Sequence, residues 1–139
     1  MKPKIFRGII ISFLICFPMS VFAESVSSML IRYRGEARKT SAEFQEFSVE
    51  RGKRFYLQAK ASASGQISCA TCHTVDPSQS GQTRAGKSID PMAPAINPKR
   101  FADAAKVEKW FMRNCDDVLK RNCTAQEKGD FITYLVSIK

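Results

Sequence analysis

The chain has 139 residues, 44% of them hydrophobic and 25% charged, with a formal net charge of +9 and five cysteines. That length suits one domain, and no repeat or second domain shows along it. The basic residues are scattered, which argues against nucleic-acid binding and for a solvated surface or an acidic protein partner.

The first segment reads as a signal peptide. Lys2, Lys4 and Arg7 precede an apolar run, Ile9 to Phe17, that is too short to span a bilayer. Pro18 breaks the run, and Val21-Phe22-Ala23 offers a cleavage site. Residues 1–23 are therefore expected to be removed, Cys16 with them, leaving residues 24–139 as a single exported domain. A bulky Ile15 before Cys16 disfavours a lipoprotein reading. The loss of three basic residues lowers the formal charge to +6. An exported chain meets an oxidising compartment, the periplasm in a bacterium.

In the domain, Met29, Leu30, Ile31 and Tyr33 predict one or two helical turns in a basic neighbourhood. Ser41 then reads as an N-cap, with Glu43 and Glu46 in the first turns, where carboxylates suit the helix dipole. Phe44, Phe47, Arg51, Phe55 and Tyr56 carry a helical period to about Lys60. Gly52 costs this helix about 1 kcal/mol, and close contact with another helix is the reading that explains it. Residues 61–68 are small and polar and predict a loop.

Cys69-Ala70-Thr71-Cys72-His73 follows. The spacing C-x-x-C-H is that of c-type haem attachment. Two thiols add to the porphyrin vinyl groups, and the adjacent imidazole reaches the iron from the same turn. Zinc would need two further ligands, yet His73 is the only histidine and there is no second C-x-x-C. A thioredoxin-like pair would need a βαβ pattern, which is not present. One covalently bound haem c is the cofactor expected.

Residues 74–100 form a long segment rich in proline and glycine, and a loop of that length in a small domain is usually functional. Ile89, Met92 and Ile96 could cover the haem edge. The carbonyl of Pro91 or Pro94 could accept from Nδ1–H of His73. Arg84 and Lys87 could pair with haem propionates, or remain solvated loop charges.

Asp103 caps a predicted helix over 104–119, with Val107, Trp110, Phe111, Asn114 and Val118 on its apolar stripe. Thr124 and Glu127 form a capping box that opens a last helix, with Phe131, Tyr134, Leu135 and Ile138 buried. The pattern as a whole is all-α and cytochrome c-like, built around one haem with a long Pro/Gly loop.

A single histidine excludes bis-histidine ligation within the chain. Met112 points roughly 160° away from Asn114 at 100° per helical residue, and Met92 reads as an apolar contact. Asn114, in mid-stripe, is the anomaly, because a buried amide without a partner costs about 1–3 kcal/mol. Either it bonds a backbone group or a propionate, or its oxygen faces the iron.

The order of segments from the haem motif to near the end resembles the sphaeroides haem protein family of small exported monohaem cytochromes c. The resemblance is carried by Cys69–Thr74, Gly81–Lys87, Pro91-Met92-Ala93-Pro94, Arg100-Phe101, Val107-Glu108-Lys109-Trp110, Arg113-Asn114-Cys115, Arg121-Asn122-Cys123-Thr124 and Glu127-Lys128. It implies that Asn114 is the second axial ligand of the iron, opposite His73, and that Cys115 and Cys123 form a disulfide. Lys120 stands where the family often has glycine. The resemblance further implies that reduction releases the asparagine and that the ferrous haem then binds a diatomic gas such as O2 or NO, with Trp110 and Phe111 bordering the pocket. The implied partners are a dihaem cytochrome c as electron donor and a membrane cytochrome b. The functional expectation is electron transfer with gas binding rather than an enzyme. The rivals are a His73/Met92 electron shuttle that never opens, and a haem reductase of oxygen or peroxide.

Overall fold

The computed structural model describes residues 25–62 and 65–139, so the expected signal peptide and Cys16 lie outside the described residues. In chain order the elements are α1 (Val26–Thr40), α2 (Val49–Leu57), β1 (Lys60–Ser62), β2 (Gly65–Ile67), α3 (Cys69–His73), β3 (Gly81–Gln82), β4 (Ser88–Ile89), α4 (Ala104–Leu119) and α5 (Ala125–Ser137). The fold is all-α and cytochrome c-like, with two short antiparallel hairpins, β1–β2 and β3–β4, in the connections. No helix among the described residues is long and apolar enough to cross a membrane.

The frame of the fold is the packing of α2 and α1 against α5. Gly52 is the contact point. A Cβ there would lie 2.0 Å from the Asp130 carbonyl oxygen and 2.7 Å from Cβ of Tyr134, so only glycine lets α2 and α5 approach this closely. Beside it the buried Asp130 carboxylate accepts from Arg51 Nε at 2.8 Å and from the Ser48 backbone N–H at 2.7 Å. Tyr33, Tyr56, Met29, Ile132 and Leu135 are fully enclosed, and burial of such side chains is worth about 1.5–3 kcal/mol each.

Two helices differ from expectation. The first runs 15 residues, not one or two turns, because Met29, Tyr33 and Ala37 recur every fourth residue on its buried face while the rest is polar. The second starts at Val49, capped by Ser48 through Arg51 N–H, not at Ser41. Residues 41–47 cross α1 as a strap. The Phe44 and Phe47 rings meet edge to face at 5.8 Å, and Glu46 ties to Arg34 and Arg38.

The two later helices open where local chemistry places them. Asp103 accepts from Lys106 N–H at 2.9 Å, and Thr124 and Glu127 exchange bonds in a capping box. The α4 helix is fastened to the frame through Glu108, whose carboxylate accepts from Tyr33 at 2.6 Å, Lys128 at 2.7 Å and Arg32 at 2.9 Å. Burial disfavours a charge on Glu108, but the three donors outweigh it and hold its carboxyl below the usual glutamate range. A disulfide joins Cys115 to Cys123, with Cα atoms 5.6 Å apart. Between them Lys120 ends α4 in the left-handed region at φ 57°, ψ 28°, the conformation for which glycine is the usual choice.

Candidate haem site

The five-residue helix α3 carries Cys69, Cys72 and His73, and the structure holds it from several sides. Ser68 N–H donates to Thr71 Oγ1 at 2.9 Å across its first turn. The buried Tyr56 reaches over from α2, and its hydroxyl donates to the carbonyls of His73 at 3.0 Å and Thr74 at 2.6 Å. Gly81, at the start of β3, lies flush on the turn: a Cβ there would sit 2.0 Å from the Cys72 carbonyl oxygen. Thr74, which ends the helix, has φ 63° and ψ 164°. A β-branched residue in that region is strained, and such strain persists only where neighbours enforce it. Here Tyr56 holds the Thr74 carbonyl, and Thr74 Oγ1 donates to the Asp76 carbonyl at 2.6 Å.

Cys69 and Cys72 are both free thiols on this turn. Cys69 packs against the core, and burial pushes its thiol up to about 11. Cys72 lines an open depression of about 560 Å³ whose far wall is the β3 strand and Arg84. His73 is pushed below the ordinary histidine range, first by burial and then by the charge of Arg100, which favours the neutral ring that a metal ligand requires. Its Nδ1 is buried with no hydrogen-bond partner. Neither of the two expected carbonyls bonds it: that of Pro94 makes no hydrogen bond with Nδ1, and that of Pro91 accepts instead from Asn97 Nδ2 at 3.3 Å and from Arg100 Nε and Nη2 at 3.0 and 2.7 Å. Two unpaired thiols and a neutral imidazole on one turn fit a covalently attached haem with one axial nitrogen from the protein. No group of three or more His, Cys, Asp or Glu residues among those described could hold a bare metal ion.

The loop that follows is less irregular than the sequence suggests. The Pro77 carbonyl accepts from Met92 N–H at 2.8 Å and Ala93 N–H at 2.9 Å, folding the segment back on itself. Met92 is only 7% exposed and belongs to the hydrophobic core, whereas Ile96 is 54% exposed. Arg84 and Lys87 both belong to the β3–β4 hairpin region, are exposed, and make no ion pair among the described residues.

On α4 the buried stripe is Val107, Phe111 and Cys115. Phe111 is part of the aromatic core, 5.4 Å from Phe131 and 6.3 Å from Tyr33 between ring centroids. Trp110 and Asn114, four residues apart, share the neighbouring flank. Trp110 is 46% exposed under the Arg113 guanidinium, and Asn114 is half-buried. Among the described residues the Asn114 amide makes no hydrogen bond. Met112 is turned outward.

A family model described as a domain of unknown function (DUF1924) matches residues 42–135. Cytochrome c-type protein SHP of Cereibacter sphaeroides is 44% identical over 90 residues, covering 64% of this chain and 70% of the relative. Cytochrome c'' of Methylophilus methylotrophus is 34% identical over 135 residues, 94% of each chain. The chain belongs to the sphaeroides haem protein family. Among solved structures, oxidised cytochrome c'' from the same Methylophilus species superposes with a TM-score of 0.73 at 35% identity, covering 80% of this chain and 92% of the other. Oxidised SHP, described as an oxygen-binding cytochrome c, superposes with a TM-score of 0.71 at 38% identity over 80% and 95%. These relatives are c-type cytochromes, and the cofactor of the family is haem c, attached covalently.

Tyr56, Thr74 and Arg100 were not legible as site residues. Tyr56 reads as one more aromatic on a helical stripe, and Thr74, although it closes the Cys69–Thr74 segment of the resemblance, gives no sign in the sequence of its strained backbone. Arg100 carries a weak signal, its place beside Phe101 in the segments shared with the family.

Proposed function

We propose that this chain is an exported monohaem c-type cytochrome that transfers electrons and, when reduced, opens one side of its haem to a diatomic gas, O2 or NO. Cys69 and Cys72 would hold the haem and His73 would supply the permanent axial nitrogen. The haem supplies an iron that exchanges one electron and can take a small ligand where a coordination position is open.

The observation that carries this reading is Asn114. Its amide is half-buried on the flank of α4, makes no hydrogen bond among the described residues, and adjoins the Cys115–Cys123 disulfide. An amide oxygen is a hard, neutral and weak donor, better suited to ferric than to ferrous iron. Asn114 would then be held in place in the oxidised protein and released on reduction. The disulfide limits how far the helix end can drift. Two relatives support the reading: the SHP structure is described as an oxygen-binding cytochrome c, and the solution structure of cytochrome c'' addresses haem-ligand detachment. The signal-like segment 1–23 supports export to the periplasm, where a dihaem cytochrome c linked to a membrane cytochrome b is the donor the family suggests.

Met92 is packed in the core, and its backbone N–H is tied to the Pro77 carbonyl, four residues after His73. The test is the spin state of the reduced protein with and without CO. The proposal expects a high-spin ferrous form that binds CO rapidly. A low-spin ferrous form that takes up CO only after a slow dissociation would contradict it. Steady turnover of O2 or peroxide with a natural donor would make the protein a reductase instead of a carrier.

A further inference from the structure

The helix that carries Asn114 stands apart from the frame. The backbones of α1 and α2 lie close against α5, whereas α4 comes close at backbone level to β1 and hardly to α1 or α5. Its link to the frame is made by side chains. Val107, Phe111 and Cys115 are buried, and the Phe111 ring meets those of Phe131 and Tyr33. Apolar contacts carry no direction of their own, so they leave a helix some freedom to turn and slide. Glu108 adds direction. Its Oε1 accepts from the Tyr33 hydroxyl at 2.6 Å and from Arg32 Nη1 at 2.9 Å, both on α1, and its Oε2 accepts from Lys128 Nζ at 2.7 Å, on α5.

The three donors are themselves held. Tyr33 is fully enclosed, so its hydroxyl cannot turn to water, and Glu108 is its partner. The Lys128 ammonium lies 5.4 Å from the centre of the Tyr33 ring and 5.8 Å from that of Phe111, within cation–π range of both. The Arg32 guanidinium lies 4.6 Å from the Tyr33 ring centre. At its other end α4 is tied by the Cys115–Cys123 disulfide. Glu108, Lys128 and Cys123 line one depression of about 410 Å³, so both fastenings lie on one side of α4. Asn114, six residues after Glu108, is about 120° around the helix from it. An asparagine side chain is short, so the place of its amide is set by the turn and height of the helix. One residue of slip moves it by about 1.5 Å along the axis and about 100° around it.

We propose that Glu108 is the positioning residue for Asn114. Bound to two helices at once, it fixes the turn and height of α4, so that the asparagine leaves the iron by rotation of its own side chain and returns to the same place on reoxidation. The proposal rests on the axial role of Asn114 proposed above. A hydrogen-bonded carboxylate suits this task better than apolar contact alone, because its donors converge from two elements and each has a preferred line of approach.

The test reads the ratio of five- to six-coordinate haem in the oxidised, haem-loaded protein, by absorption and electron paramagnetic resonance spectra well below the melting temperature. Tyr33→Phe keeps the enclosed ring and removes only the hydroxyl, and Glu108→Gln removes the charge. Each is expected to raise the ratio about fivefold or more, and to slow the return of the six-coordinate spectrum after rapid reoxidation. Arg51→Gln is the control. It breaks the buried pair with Asp130 in the α2–α5 frame without touching α4, so it should lower the melting temperature and leave the ratio unchanged. If Tyr33→Phe and Glu108→Gln lower the melting temperature and leave the ratio unmoved, or if Arg51→Gln moves it as far as they do, the proposal is overturned. Asn114→Ala separates the two levels. An oxidised spectrum unchanged by Asn114→Ala defeats the axial reading itself. An altered spectrum in Asn114→Ala beside unmoved ratios in Tyr33→Phe and Glu108→Gln defeats only the role of Glu108. In the Asn114→Ala background Tyr33→Phe should add nothing, and a further spectral change there would mean that the cluster acts on the iron by another route, against the proposal.

Discussion

His73 sits on a turn gripped from several elements, while Asn114 sits on a helix flank where its side chain touches no protein partner by hydrogen bond. Tyr56 from α2 holds the carbonyls of His73 and Thr74, β3 presses its Gly81 against Cys72, and Ser68 and Thr71 close the start of the turn. Asn114 has only its helix, fastened by Glu108 to Tyr33, Arg32 and Lys128 one turn and more upstream and by the disulfide just downstream. The contrast bears on the proposed function: redundant restraint would keep His73 in place whatever the iron does, and sparse restraint would leave Asn114 able to move.

If the restraint on the His73 side is real, attacking it should be expensive. Gly81→Ala places a Cβ against the Cys72 backbone, which has no flexible end to swing aside. The substitution should destabilise the folded protein by about 3 kcal/mol, measured by denaturant melts, and reduce the yield of covalent haem. A stable, fully loaded Gly81→Ala protein would show that the hairpin does not brace the turn.

The next largest effect concerns the only covalent restraint on the Asn114 side. Opening the Cys115–Cys123 bridge, by reduction or by Cys115→Ser/Cys123→Ser, should cost about 2 kcal/mol, since the loop it closes is short. It should also raise the five-coordinate fraction of the oxidised haem. If stability falls but the oxidised spectrum and ligand on-rates do not change, the bridge serves stability alone.

Tyr56→Phe removes one hydroxyl and two hydrogen bonds from the haem turn. A loss of about 1.5 kcal/mol is expected, with a changed Fe–His stretching frequency in resonance Raman spectra of the reduced protein. The spectrum matters here, because a hydroxyl that merely filled the core would move the melt and not the iron–histidine bond.

The degree to which this contrast could be read from residues alone follows from chemistry. The α4 and α5 helices were legible because Asp103, Thr124 and Glu127 cap through neighbours three residues away, and the apolar period between them is regular. The start of α2 was not. Ser41 and Ser48 are each followed two residues later by a glutamate, and the choice is made by Asp130, far along the chain, which accepts from the Ser48 N–H. The full length of α1 was hidden because only Met29, Tyr33 and Ala37 face inward. The haem motif was legible because two thioethers and an imidazole require fixed spacing. Tyr56 and Arg100 were not, since each bonds backbone carbonyls, and a carbonyl leaves no mark on the sequence. Gly52 was the exception in the frame, legible because a glycine inside a helix needs a reason, and the Asp130 carbonyl supplies it.

The smallest expected effect on stability is that of Asn114→Ala. An amide that makes no hydrogen bond to the protein should cost less than about 0.5 kcal/mol in the haem-free chain when truncated. A larger loss would mean that Asn114 is a structural polar group.

The same substitution, compared with Met92→Ala in the haem-loaded protein, tests the central claim most directly through the axial-ligand bands of the oxidised spectrum and the rate of CO binding to the reduced form. The account predicts that Asn114→Ala changes the oxidised spectrum and leaves the already rapid CO binding within about twofold of the unaltered protein, whereas Met92→Ala changes neither. A methionine–iron charge-transfer band that disappears in Met92→Ala and persists in Asn114→Ala would contradict it.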